Sequence, residues 1–270
     1  MKEYLDLVER VLTNGVRKQN RTGIDTISCF AEHYTVDLGA GYPLLTTKKM
    51  NFKSMLYEVL WYLSGEDHIR NLQKHTKIWD AWADKNGNLD TAYGRYWRRF
   101  PSAHVNPATG QYEVVEIDQI GKVIDLLKTD PNSRRMVVTA WEPGNAFTSK
   151  LPPCHYTFAF NVQSGRLNCH LTQRSGDIAL GIPFNLAAYS LLTLILAAEA
   201  SLEPGLFSHT IVDAHIYVNH IGGLKEQLKR TPKPLPSIVI APKPIDELTF
   251  EDFTLVGYRC DEPIKFEVAV

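Results

Sequence analysis

Cys154 and Arg174 are the first pair in this chain whose types and placement point to chemistry. Cys154 stands in Pro152-Pro153-Cys154-His155, and behind it Tyr156, Phe158, Phe160 and Val162 alternate with Thr157, Ala159 and Asn161. A period of two predicts a strand. Ser164-Gly165 supplies a tight turn, and Leu167, Cys169 and Leu171 alternate again, so the two runs form a β-hairpin. With Ser164 and Gly165 as the loop, pairing outward sets Val162 opposite Leu167, Phe158 opposite Leu171, His155 opposite Arg174 and Cys154 opposite Ser175. A thiol then lies next to a guanidinium. The thiolate is the nucleophile and is the minor form of a free cysteine at neutral pH, whereas a fixed positive charge nearby lowers the pKa. Cys154 is therefore the candidate nucleophile and Arg174 its activator. The plain alternative is a small buried apolar residue, and a one-residue register slip would undo the pairing.

Other residues gain meaning from the elements that carry them. Phe52 to about Gly65 reads as a helix with Leu56, Val59, Leu60 and Leu63 as its core stripe. Glu58 sits off that stripe, one turn from Met55, Trp61 and Tyr62; partial desolvation among them raises a carboxyl pKa toward the range useful for proton transfer. Read plainly, it is a solvent-facing helix glutamate. Trp79 and Trp82 are spaced to share one face. Asp177 is a turn residue or an N-cap, and Asn185, ahead of an apolar run, reads as an N-cap. His215 and Tyr217 point to one side of a strand, without a third ligand at metal-binding spacing. Arg134 and Arg135 precede the buried-looking strand Met136 to Ala140, and consecutive strand residues point to opposite faces.

The framework is bounded by composition. The chain has 270 residues, 44% of them hydrophobic, and no linker, repeat or composition shift, which favours one domain over residues 1–270. A formal net charge of −1 argues against DNA binding through phosphate neutralisation. Cys29, Cys154, Cys169 and Cys260 lie far apart without a CxxC pair, so neither a disulfide framework nor a zinc ribbon is expected. MKEYLDLVERVL reads as an amphipathic helix rather than a signal peptide. The apolar run Leu186 to Ala198 is short for a membrane span and reads as a buried core helix. A soluble cytoplasmic protein follows. Thr26 to Leu38 reads as a strand, Pro101 to Tyr112 as a surface loop, Ile117 to Leu127 as an amphipathic helix, and Ile238 to Ile240 as a late strand.

YGRYW, DPNSRR, PPCH, QRSGD, LGIPFN and DAHIYVNH occur in that order, and together they resemble the folate-dependent thymidylate synthase family. The resemblance runs from Asn20-Arg21-Thr22-Gly23 to the terminal IKFEVAV. It implies an α/β protein of the α+β type, a mixed β-sheet flanked by helices, and a homodimer packed sheet against sheet. It implies catalysis by Cys154, Glu58, Arg174, Asn185, Tyr93 and His155. The substrate dUMP would be held by Arg21, Arg174, Ser175, Gly176, Asp177, Asn185, His215 and Tyr217, with Arg134 and Arg135 reaching in from the neighbouring subunit. The cosubstrate 5,10-methylenetetrahydrofolate would meet Asn51, Trp79, Trp82, Asp177 and Ala269, the tail closing as a lid, and no metal is called for.

Residue chemistry supports one of these roles independently. A carboxamide presents a donor and an acceptor together, matching uracil's ring N–H and carbonyl, whereas an aspartate only accepts and suits cytosine's amino group. Asn185 thus favours uracil. Four positions depart from the family pattern: Lys150, Ala159, Asn161 and Val212. They keep open a pyrimidine nucleotide hydroxymethylase on the same fold, in which water captures the exocyclic methylene. A noncatalytic nucleotide-binding dimer is a third reading.

Overall fold

The fold is seen in a computed structural model that describes residues 1–268. In chain order the elements are α1 (Lys2–Asn14), β1 (Val16–Lys18), β2 (Thr26–Asp37), α2 (Phe52–Ser64), α3 (Tyr93–Arg98), β3 (Phe100–Val105), β4 (Tyr112–Ile117), α4 (Gln119–Thr129), β5 (Val137–Thr139), α5 (Pro143–Ala146), β6 (His155–Gln163), β7 (Arg166–Asp177), α6 (Gly181–Glu199), β8 (Glu203–Tyr217), α7 (Ile221–Leu228), β9 (Ser237–Ile240) and β10 (Phe253–Val256). Six strands form one sheet in the order β1-β2-β8-β7-β6-β5. Only β7 and β8 run parallel, joined through α6, so the sheet is mixed. The α+β expectation holds.

One sheet face carries the core. Leu7, Val8 and Val11 of α1 pack there with Leu171, Phe207 and Ile211 of the sheet and Leu186, Leu191 and Leu196 of α6. Helix α6 is apolar nearly all round and buried along most of its length. By length and composition it passes for a membrane span, but it is wrapped by the sheet and α2, which is the core-helix expectation. On the opposite face Phe30, His33, Thr35, Asn161 and His170 are exposed.

The central hairpin forms as expected over most of its length. Ser164 and Gly165 both have positive φ, 52° and 75°, the left-handed pair a two-residue hairpin turn requires. Val162 pairs with Leu167 and Phe158 with Leu171. Beyond that the outward count is wrong by one residue. A bulge between His155 and Thr157 places His155 opposite Gln173 instead of Arg174, and the Arg174 N–H donates to the Cys154 carbonyl at 2.8 Å. The bulge therefore delivers Cys154 to Arg174 itself, not to Ser175.

Three other expectations need correction, and one strand was missed. The supposed loop from Pro101 is a hairpin, β3–β4, whose strands are largely exposed, so burial imposes no period of two on them. Helix α6 begins at Gly181, which puts Asn185 inside its first turns rather than at its N-cap. The strand after Arg135 is only Val137–Thr139, with Val137 exposed and Val138 buried. β9 pairs with β10, a strand the sequence reading lacked.

Candidate active site

The parallel strands β7 and β8 end side by side, and their C-terminal residues open into a pocket of about 900 Å³. The start of α6, the 18–22 loop, α2 and the Trp79–Trp82 segment complete its walls. Cys154, Glu58, Tyr93, His155, Arg174, Asn185, Arg21, Ser175, Asp177, His215, Tyr217, Trp79 and Trp82 all line it. Residues spread over most of the chain thus converge on one space.

Arg174 is held by main-chain carbonyls. Its Nε donates to the Pro153 carbonyl at 2.9 Å and its Nη2 to the Pro152 carbonyl at 2.7 Å, which leaves Nη2 3.4 Å from the Cys154 Sγ. The Pro-Pro pair thus supplies two carbonyls with no competing N–H. The Cys154 N–H donates to the Tyr93 hydroxyl at 2.8 Å. The thiol pKa nevertheless does not fall. Burial pushes it above its ordinary value, and the guanidiniums of Arg174 and Arg21 pull it back only in part. The net lowering expected from sequence is overturned, because desolvation of an anion outweighs two charges, one of them at the exposed Arg21.

Glu58 behaves as its surroundings dictate. Its Oε1 accepts from the Trp79 indole N–H at 2.7 Å. Burial raises its pKa to about 7, against the opposing pull of hydrogen bonds from Trp79 and Tyr62. The sulfur and rings one turn away, Met55, Trp61 and Tyr62, are all buried, whereas Leu60 of the expected stripe is only partly so. His155 stacks on Tyr93 with ring centroids 3.7 Å apart and 8° between planes. Its Nδ1 meets the Tyr189 hydroxyl at 2.7 Å, and burial depresses its pKa to about 3, so the ring is neutral at physiological pH.

At the far wall Asp177 takes the turn role of its two plain readings, since the N-cap position of α6 is Leu180. Its Oδ1 accepts from the Ala179 N–H at 2.8 Å and from the Leu180 N–H at 3.3 Å, turning the chain from β7 into α6. His215 and Tyr217 meet edge to face at 5.4 Å on one side of β8. Arg21 lies 6.0 Å from the Trp82 ring centroid.

Some residues expected at the site do not line this pocket. Gly176 does not line the pocket; an added Cβ would lie 2.5 Å from Ile182 Cδ1 and 3.0 Å from Ile211 Cγ2, so this glycine serves the packing of α6 on the sheet. Asn51 caps α2, its Oδ1 accepting from the Ser54 N–H at 3.1 Å, outside the pocket lining. Arg134 and Arg135 are exposed in irregular backbone before β5, also outside it. Ala269 lies outside the described residues, although Val268 reaches the rim. Sequence reading missed Tyr62, Gln173, Lys18 and Phe184 as pocket residues. Tyr62 was findable, being one turn from Glu58. Among the described residues no group of His, Cys, Asp and Glu is arranged to hold a metal.

A mixed sheet carrying a thiol under a fixed guanidinium, with a carboxyl titrating near neutrality across a ring-lined pocket, defines an α+β enzyme of small-molecule chemistry. The chain belongs to the thymidylate synthase family: the family's model matches residues 2–270. A thymidylate synthase of Haloferax volcanii is 44% identical, over 98% of this chain and 95% of its own length. The chain is thus an enzyme that transfers a methyl group.

Proposed function

We propose that the enzyme converts dUMP to dTMP, taking both carbon and hydride from 5,10-methylenetetrahydrofolate and yielding dihydrofolate. The observation that carries the reading is the contact of Cys154 with Arg174 in a pocket that also holds Glu58 and Asn185. The sulfur of Cys154 adds to carbon 6 of the uracil ring, and the ring electrons move to the oxygen at carbon 4. Arg174 lowers the cost of the thiolate, a cost that burial makes real. The Asn185 carboxamide holds the uracil edge, and Glu58, titrating near neutrality, manages the proton at the carbonyl.

Carbon 5 then attacks the methylene carbon of the folate. Loss of the carbon 5 proton and departure of tetrahydrofolate leave an exocyclic methylene. Hydride transfer reduces it to methyl as tetrahydrofolate is oxidised to dihydrofolate, and Cys154 leaves. The pocket suits two flat ligands: about 900 Å³ of space with Trp79, Trp82 and Phe184 in its walls. Tyr93 braces the backbone of Cys154, and neutral His155 packs beneath it.

The hydroxymethylase reading loses its footing. Of the four departures only Lys150 lines the pocket; Ala159, Asn161 and Val212 lie on the sheet, away from it. They bear on sheet packing rather than on which nucleophile meets the methylene. Membership of an enzyme family also disfavours the noncatalytic dimer.

The working unit is a homodimer packed through the exposed sheet face. Arg134 and Arg135, outside their own pocket, serve the phosphate of the neighbouring copy, a task suited to guanidinium. Four free cysteines support a cytoplasmic, reducing compartment. Incubation with dUMP and methylenetetrahydrofolate tests the reaction: dihydrofolate appears with its absorbance change, in step with dTMP. Hydroxymethyl product without dihydrofolate would overturn it.

A further inference from the structure

His220 stands between β8 and α7 and is 1% exposed. Its Nε2 donates to the Glu267 carbonyl of the C-terminal tail at 2.7 Å. A carbonyl only accepts, so Nε2 carries a proton; Nδ1 faces inward, 3.8 Å from the Asp177 Oδ1 and without a hydrogen-bond partner among the described residues. Burial works against a charged ring, but Asp177 and the Glu267 carbonyl outweigh it and raise the pKa of His220 above its ordinary value. A buried polar atom left unpaired costs free energy. The same Asp177 oxygen holds the Ala179 and Leu180 N–H groups at the start of α6.

The tail is gripped at a second point. Phe266 lies edge-on to the His220 ring at 5.1 Å, with the Lys48 ammonium 4.8 Å from its centroid. It covers Gly223, where an added Cβ would lie 2.6 Å from Phe266 Cε1 and 3.1 Å from Ile264 Cγ2. Lys48 in turn donates to the Ala179 carbonyl at 2.5 Å. One ring and one ammonium therefore connect the tail to the turn that Asp177 builds, and Val268, two residues past Phe266, lines the pocket.

We propose that His220 is a positioning residue that pins the C-terminal tail by its backbone and couples the tail's docking to Asp177 at the folate side of the pocket. The bond to a main-chain carbonyl holds the chain whatever its side chains, while Phe266 over Gly223 sets which residue arrives. The kinetic consequence rests on the reading of Asp177 as the folate contact; the docking itself does not.

Two measurements separate these. Trypsin cleavage after the exposed Lys265, followed by loss of the terminal peptide from the intact mass, reads docking in the ligand-free enzyme. His220→Ala is expected to speed that cleavage about tenfold, as loss of one buried hydrogen bond predicts. His220→Gln, which keeps an N–H donor, recovers most of the protection. Gly223→Ala displaces Phe266 without touching His220 and gives the same pattern, carrying the test if His220→Ala does not fold. In steady state, KM for methylenetetrahydrofolate rises severalfold in His220→Ala while dUMP affinity measured without folate is unchanged. Cleavage and folate KM equal to the parent's in both variants would overturn the proposal, as would an equal loss of dUMP affinity. A parent enzyme that ignores methylenetetrahydrofolate would sink the folate reading alone, with the protease result still deciding the latch.

Discussion

Glu58 holds a proton in the folded chain up to a pH of about 7, against an ordinary value of 4.5. Between those values the folded state binds a proton that the unfolded chain has released, so stability falls as pH rises through this window and levels off above it. The span corresponds to about 3 kcal/mol. Glu58→Gln keeps an acceptor for the Trp79 indole and removes the titration, so the variant should gain stability over its parent between pH 5 and pH 8 in denaturant titrations. A parent–variant difference that is the same at both values would mean a solvated carboxyl. Turnover should fall by roughly 10²-fold or more, with loss of the limb near neutrality in the pH–rate profile. Arg174→Lys tests the other charge. A lysine cannot span two proline carbonyls and the sulfur as the fixed guanidinium does, so burial of the thiol goes less opposed. Alkylation of Cys154 by iodoacetamide should slow about tenfold at neutral pH, its midpoint moving up. At this scale the sequence was legible where neighbours are local: Glu58 and its rings are one helical turn apart. The direction of the Cys154 shift was not legible, because burial is set by the whole pocket and only the opposing charge shows in a motif.

Elements were readable where one face is buried and the other is not. The β6–β7 hairpin announced itself through its alternation and its Ser164-Gly165 turn, but a bulge carries no compositional mark, and the bulge is what moves Cys154 from Ser175 to Arg174. The β3–β4 hairpin was invisible for a related reason: residues such as Tyr112 and Val114, 80% and 72% exposed, owe nothing to a core. Helix α6 was legible as a buried helix but not in its first turn, since Gly181-Ile182-Pro183 hides a start with no side-chain cap, led in by the turn that Asp177 holds. The crossing of α2 and α3 shows how an element holds the site. A Cβ on Gly94 would press on the Tyr62 carbonyl oxygen and lie 2.8 Å from the Tyr62 Cα. Gly94→Ala must therefore push α3 off α2 and draw Tyr93 away from the Cys154 N–H. The overpacking should cost about 1–3 kcal/mol, lowering Tm by about 2–4 °C for each kcal/mol. Turnover should fall further than stability does. Gly222→Ala is the control: nothing lies within 4 Å of its added Cβ, and an alanine in the first turn of α7 should leave Tm unchanged or raise it.

At the scale of the whole molecule, the parts left unused by one chain are the informative ones. Its pocket brings Cys154, Glu58 and Asn185 together, yet Arg134 and Arg135 stand exposed outside that pocket. The sheet face opposite the core is also bare, with Phe30 84% exposed among the exposed His33, Thr35, Asn161 and His170. A two-fold dimer through this face would use each surface once on each copy. It would make every active site a product of two chains, a nucleophile from one and an arginine pair from the other. Subunit mixing reads this directly. In such a dimer Cys154→Ala would lose the site on its own chain but still lend arginines to its neighbour, while Arg134→Ala/Arg135→Ala would keep its nucleophile and lack arginines to lend. Either variant alone should be nearly inactive at low dUMP. After unfolding and refolding together in equal amounts, half the dimers are mixed and each has one intact site, so about a quarter of parent activity should return. If both arginines serve their own chain, the mixture stays as inactive as its components.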